Sequence, residues 1–174
     1  MTFPDEKVFG PADERFVSWV EVHSRLLVVL AVVAAVFWTL ICLQYTVDDA
    51  YISFRYAKVL VTDHTWNWNP SGARVEAYTS ATYTWLAIVP TVLHLPVALF
   101  FKGVGLLCVG VMTYRVCTQA TSRFAVMLGL LLIGFTPWLW LHAYACLETP
   151  LYMLLILEMA LCVKDAERLR SPYI

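Results

Sequence analysis

Between positions 26 and 44 the chain runs 19 residues without one charged side chain, and no other feature limits the fold as much. A hydrocarbon core about 30 Å thick is crossed by about 20 mostly apolar residues in helical form. The run exceeds the roughly 7–15 residues of a signal-peptide core and has no small-residue cleavage pattern after it, so it reads as a retained transmembrane helix. The charges elsewhere are distributed to match. Of 12 basic and 13 acidic residues, positions 1–25 hold eight, 45–78 hold seven and 164–174 hold five, which leaves five among the other 104 residues. The charge-poor stretches predict further helices at about 79–93, 96–114, 124–141 and 149–163. The expected fold class is all-α integral membrane, with four to five hydrophobic helices making up a membrane module over 26–163.

Orientation follows from the basic flanks, because Lys and Arg collect on the cytoplasmic side. Arg15, Arg25, Arg115, Arg123 and the tail KDAERLR therefore mark the inner side. Positions 1–25 become a cytosolic segment, 45–78 an external loop and 164–174 a cytosolic tail, in a multi-pass protein of the plasma (inner) membrane. This assignment requires one net crossing between 79 and 114, although the stretch is long enough for a hairpin. Either residues 79–93 form a short, partly inserted helix that turns back near Pro96, or the positive-inside signal fails here; with one net crossing, Glu148 lies on the same membrane face as Asp48 and Asp49.

Composition excludes other classes. A net charge of −1 and no basic stripe remove the electrostatic basis for nucleic-acid binding. Cys42, Cys108, Cys117, Cys146 and Cys162 lie in or beside apolar runs with no C-x-x-C spacing, so they read as small buried apolar residues.

The external loop carries most of the chemistry. In DDAYISFRYAKVL, Ile52, Tyr56, Val59 and Leu60 recur at helical spacing, which predicts a short amphipathic helix on the membrane surface. After it, Asn-Pro-Ser-Gly is a turn signal. Carboxylates at a membrane face are costly unless hydrated, paired or used. Asp48 and Asp49 have two readings: they cap the surface helix, or one serves as a general base toward an incoming hydroxyl. Adjacent carboxylates also suit a divalent cation. Arg55, two turns beyond Asp48, either orients that carboxylate or binds phosphate, or it snorkels toward lipid headgroups. Glu148, before Thr149 and Pro150, either leads into a helix or faces the same compartment as the aspartates. His64 and His142 have no ligand-like spacing, and the tryptophans suit an interfacial belt.

Three strings carry a resemblance: VDDAYISFRYAKVL (47–60), NWNPSGARVEAYTSATYTWL (67–86) and LETPLYMLLI (147–156). In this order they resemble the N-terminal part of GT-C superfamily membrane glycosyltransferases, nearest to the arabinofuranosyltransferase-like family, with its D-D-A-Y-I-S-F-R-Y-A, N-P-G-x-R-V-E-G-Y-T-S and G-M-E-T-P patterns. The resemblance spans about 40–160. It implies the N-terminal part of a GT-C type bundle, a polyprenyl-phosphate sugar donor, a glycan or other acceptor, and reaction at the external face. On that basis Asp48 and Asp49 are the catalytic residues, while Arg55, Arg74, Glu76, Tyr78 and Glu148 contact substrate. Ala77 stands where the pattern has glycine, and Cys146-Leu147 stands for its Gly-Met. Members of the family are several times longer, so the expectation is a truncated, N-terminal or split portion of such an enzyme. The alternative is a non-catalytic small membrane protein or degenerate fragment. A transporter ranks third, for lack of an internal repeat.

Cysteine accessibility labelling of His64→Cys, Thr118→Cys and Glu148→Cys tests the topology. Positions 64 and 148 should label from outside and 118 from the cytoplasm; labelling of 148 from the cytoplasm alone would sink the single acidic face.

Overall fold

The computed structural model of the chain describes residues 15, 18, 19, 22–73, 75–78, 80–120 and 122–170, the last four by backbone only. Among them the protein is all-helical, with α1 (Ser24–Cys42), α2 (Asp48–Asp63), α3 (Ala81–Val92), α4 (Val97–Gln119), α5 (Arg123–Phe135), α6 (Pro137–Tyr144) and α7 (Thr149–Arg170). Most of the segment 1–25, the end of the tail 164–174, and Arg74 lie outside the described residues.

Two helices, α1 and α4, are long and apolar enough to cross a membrane, and the bent pair α5 and α6 makes a third if it forms one span. This corrects the expected four to five. The 12 residues of α3 are too few to span at 1.5 Å per residue. The 22 residues of α7 run on through Glu158, Lys164, Asp165 and Glu167 and are too polar as a whole. Length thus excludes α3, and charge excludes α7.

The helices face outward with their larger side chains. On α1, Val32, Val33, Val36, Phe37 and Leu40 are each more than half exposed, while Ala31 and Ala34 are buried. Water would penalise such a surface by about 25 cal/mol per Å², whereas lipid matches it. Helices in lipid associate through close packing at small residues instead. A Cβ on Gly134 of α5 would stand 2.6 Å from the Ala31 carbonyl oxygen of α1, and one on Gly105 of α4 would stand 2.0 Å from that of Ala143 in α6. α1 thus packs on α5, and α4 lies against α5, α6 and α7. A bidentate ion pair links α4 to α7, with Arg115 Nε and Nη2 donating to the Glu158 carboxylate at 2.7 and 2.6 Å. Of the five free cysteines, Cys42, Cys108 and Cys146 are buried as expected, whereas Cys117 and Cys162 are exposed, on the outer sides of α4 and α7.

Two interruptions shape the bundle. The expected helix over 124–141 breaks at Thr136, where the chain bends by 58° between α5 and α6. Pro137 opens α6 and has no N–H for the Ile133 carbonyl, and it pushes the preceding residue into extended backbone, as seen at Thr136. The Trp140 indole N–H fills the vacancy, donating to Ile133 O at 2.9 Å. The second interruption ends α3. His94 takes a left-handed φ of 54°, its N–H reaches Thr91 O, and the Leu95 N–H reaches Pro90 O at 2.8 Å. That pair of bonds is a Schellman stop. The chain then reverses through Pro96 into α4, so α3 is a short helix that turns back beside it.

A packing prediction follows from the glycines. Gly105→Ala should destabilise the bundle by about 1–3 kcal/mol through overpacking against Ala143. Gly110→Ala, with nothing within 4 Å of the added carbon, should be near neutral. Thermal unfolding of the two variants in detergent micelles distinguishes them.

Candidate functional site

Asp48 and Asp49 are the first two residues of α2, and both are exposed. Neither caps the helix: the N-cap is Val47, and no side chain satisfies the first-turn amides. The capping reading is therefore replaced by a weaker one, in which the two charges sit favourably at the positive end of the helix dipole. Neither carboxylate has a hydrogen-bond or ion-pair partner among the described residues, which leaves both hydrated.

The segment before them is tied to a distant part of the chain. The Val47 N–H donates to the Ala145 carbonyl at 3.2 Å. Ala50 and Cys146 are buried in one apolar cluster with Ala57, Tyr83, Ala87 and Phe101. This junction brings the 145–148 turn, and Glu148 at its end, alongside the start of α2. Glu148 is half-buried, and its carbonyl accepts the Tyr152 N–H at 3.0 Å, so its backbone opens α7. The Tyr83 hydroxyl is held protonated chiefly by burial, with the Glu148 charge among those adding to the effect.

Cys146 holds the turn in an unusual conformation. Its φ is 63°, in the left-handed region that favours glycine. Its Sγ lies 3.4 Å from Ala98 O at the start of α4. Burial pushes the Cys146 thiol up, against the opposing effects of Thr46 and the Lys102 charge. Ala77 is not among the residues with positive φ, so alanine there costs no strain.

The other expected site residues form a second group around the loop after α2. The Arg55 guanidinium donates to Trp68 O at 3.3 Å and Asn69 Oδ1 at 3.5 Å and lies over the Trp68 ring, so it serves the loop rather than Asp48. Tyr78 is half-buried, edge-on to Tyr56 and Trp66. Glu76 is exposed but not free. Arg74 lies outside the described residues. No three His, Cys, Asp or Glu side chains converge on a metal-binding position among the described residues.

Three residues missed in the sequence organise these groups. Tyr56 is fully buried, donates its hydroxyl to Val75 O and accepts the Ala77 N–H at 3.1 Å, which holds Glu76 against α2. Buried Asn67 accepts the N–H groups of Trp68 and Val75 and donates to the carbonyls of Gly72 and Ala73, closing the Asn-Pro-Ser-Gly turn. Lys102 is only 8% exposed, and its Nζ donates to Leu43 O at 2.5 Å. Its one sequence signal was isolation, as the single charge between 79 and 114. Near the same end of α4, an apolar groove of about 380 Å³ is lined by Leu95, Pro96, Leu99, Phe100, Gly103, Val104 and Leu107.

No family model, curated protein or solved structure matches the chain.

The left-handed backbone at Cys146 sets an order of tolerance. Cys146→Gly should keep the fold, because glycine adopts this φ without strain, whereas β-branched Cys146→Val should lose about 2 kcal/mol or more. Comparing the two melting temperatures in micelles checks the order.

Proposed function

We propose that the chain is the N-terminal catalytic module of a polytopic GT-C type glycosyltransferase, which moves a sugar from a polyprenyl-phosphate donor to a glycan or other acceptor at the external membrane face. The observation that carries the reading is the Val47 to Ala145 hydrogen bond. It joins the first of the three strings to the turn that leads into the third, so Asp48, Asp49 and Glu148 belong to one junction although they are far apart in the chain. A second support is the φ of Cys146, since the position where the resembled pattern has glycine adopts a conformation suited to glycine.

In this reading Asp48 or Asp49 accepts the proton of the acceptor hydroxyl as its oxygen bonds to the sugar carbon and the lipid phosphate leaves. Such a base must be free to take the hydroxyl proton, and the two exposed, unpartnered carboxylates are not committed to another group among the described residues. Glu76 and Tyr78 on the neighbouring loop, with Arg55 of α2 bonded to that loop, bound the space in which an acceptor lies. The groove on α4 offers a hydrocarbon wall suited to a lipid chain.

The competing reading is a non-catalytic membrane protein, favoured by the engagement of Arg55 with its own loop. The two differ in one measurement. In membranes carrying the full-length or complemented protein, Asp48→Ala with Asp49→Ala should lower transfer from a polyprenyl-phosphate-linked sugar by at least about 10²-fold while insertion is unchanged. Undiminished transfer by the double variant would falsify the catalytic assignment.

A further inference from the structure

Lys102 is a charged side chain in a place where charge is costly. It lies in the first turns of a membrane-spanning helix and is nearly buried, and no carboxylate pairs with it among the described residues. Lysines within membrane segments persist where they are partnered or used. Its partner is a carbonyl of a particular kind: Leu43 follows the last residue of α1, where carbonyls have no intrahelical donor and the helix dipole is negative. The ammonium therefore satisfies a helix end that lipid would leave bare.

That bond also controls what comes next in the chain. Four residues separate Leu43 from Asp48, and they carry no regular structure beyond the turn at Tyr45, whose N–H bonds Cys42 O. Lys102 holds the beginning of this linker, and Ala145 holds its end through Val47. On its other side, the Lys102 charge acts on Cys146, two residues before Glu148. Ala98, one turn earlier on α4, contacts Cys146 directly.

We propose that Lys102 is the positioning residue of the acidic junction: anchored on α4, it fixes the end of α1 so that the linker delivers Asp48 and Asp49 beside the turn that carries Glu148. The catalytic consequence rests on the glycosyltransferase reading, but the geometric one does not. Lys102 acts through the backbone and leaves the reacting atoms to the carboxylates. A neutral side chain of similar length, such as methionine, fills the space without donating to Leu43. Arginine retains donors that reach the same carbonyl.

Amide hydrogen exchange of the chain in lipid nanodiscs reads the geometry. In Lys102→Met the Val47 amide should exchange at least about tenfold faster, while the Trp68 and Val75 amides held by Asn67 keep their protection. Lys102→Arg should restore Val47. If Lys102→Met does not insert, Lys102→Leu, which likewise has no donor, takes its place with the same expectation. Unchanged Val47 protection in the folded neutral variant overturns the proposal. Transfer assays on the full-length or complemented protein supply the second reading: kcat about tenfold or more lower with donor KM within about twofold, and recovery with arginine. Should the unsubstituted protein transfer no sugar while Val47 still responds, the glycosyltransferase reading fails and Lys102 remains the positioning residue.

Discussion

Helices whose outer surfaces already match lipid gain little by hiding those surfaces against each other, so this bundle depends on how closely its backbones approach. The two decisive contacts are Gly134 on Ala31 and Gly105 on Ala143, where a single added carbon would collide with a carbonyl. They place α5 against α1 and α6 against α4. The arrangement of the polar end follows from them, because α6 leads directly into the turn at 145–148, and α1 leads directly into Asp48.

Polar bonding then does locally what close packing does globally. Three interruptions of the helical ladder have specific replacements: the Trp140 indole for the carbonyl orphaned by Pro137, the Lys102 ammonium for the end of α1, and the Schellman bonds for the end of α3. Unsatisfied backbone is more costly in hydrocarbon than in water, which explains why large or charged side chains serve these positions. The loop after α2 follows the same rule outside the membrane segments, with Asn67 and Tyr56 bonding the backbone from 68 to 77.

Much of this was legible from local pattern. The uncharged run at 26–44 corresponds to α1, the helical spacing after Asp48 to α2, and the Pro96 punctuation to the reversal before α4. The buried face of α2 was less legible. Periodicity picked out Tyr56 and Val59, which are buried, and Ile52 and Leu60, which are half-buried, but it passed over Ala50, Ser53 and Ala57, whose small side chains complete the buried face. The number of spans was overestimated because a stretch poor in charge can be too short to cross, as α3 is, or can run on into a charged end within one helix, as α7 does. The site divided similarly. Asp48, Asp49 and Glu148 stood out as isolated carboxylates, whereas Lys102 and Tyr56 act through contacts with residues far off in sequence, which a local pattern does not encode.

The Trp140 bond to Ile133 has a consequence for motion. A proline bend with a vacant carbonyl is a natural pivot, but here the indole spans the bend and is itself buried against α1 and α4. The indole therefore braces α6 against the end of α5 across the bend, and the turn bearing Glu148 follows directly on that braced pair. On the other side of the acidic junction no such brace exists among the described residues, and the linker from α1 to Asp48 is held at its two ends, by Lys102 and by Ala145.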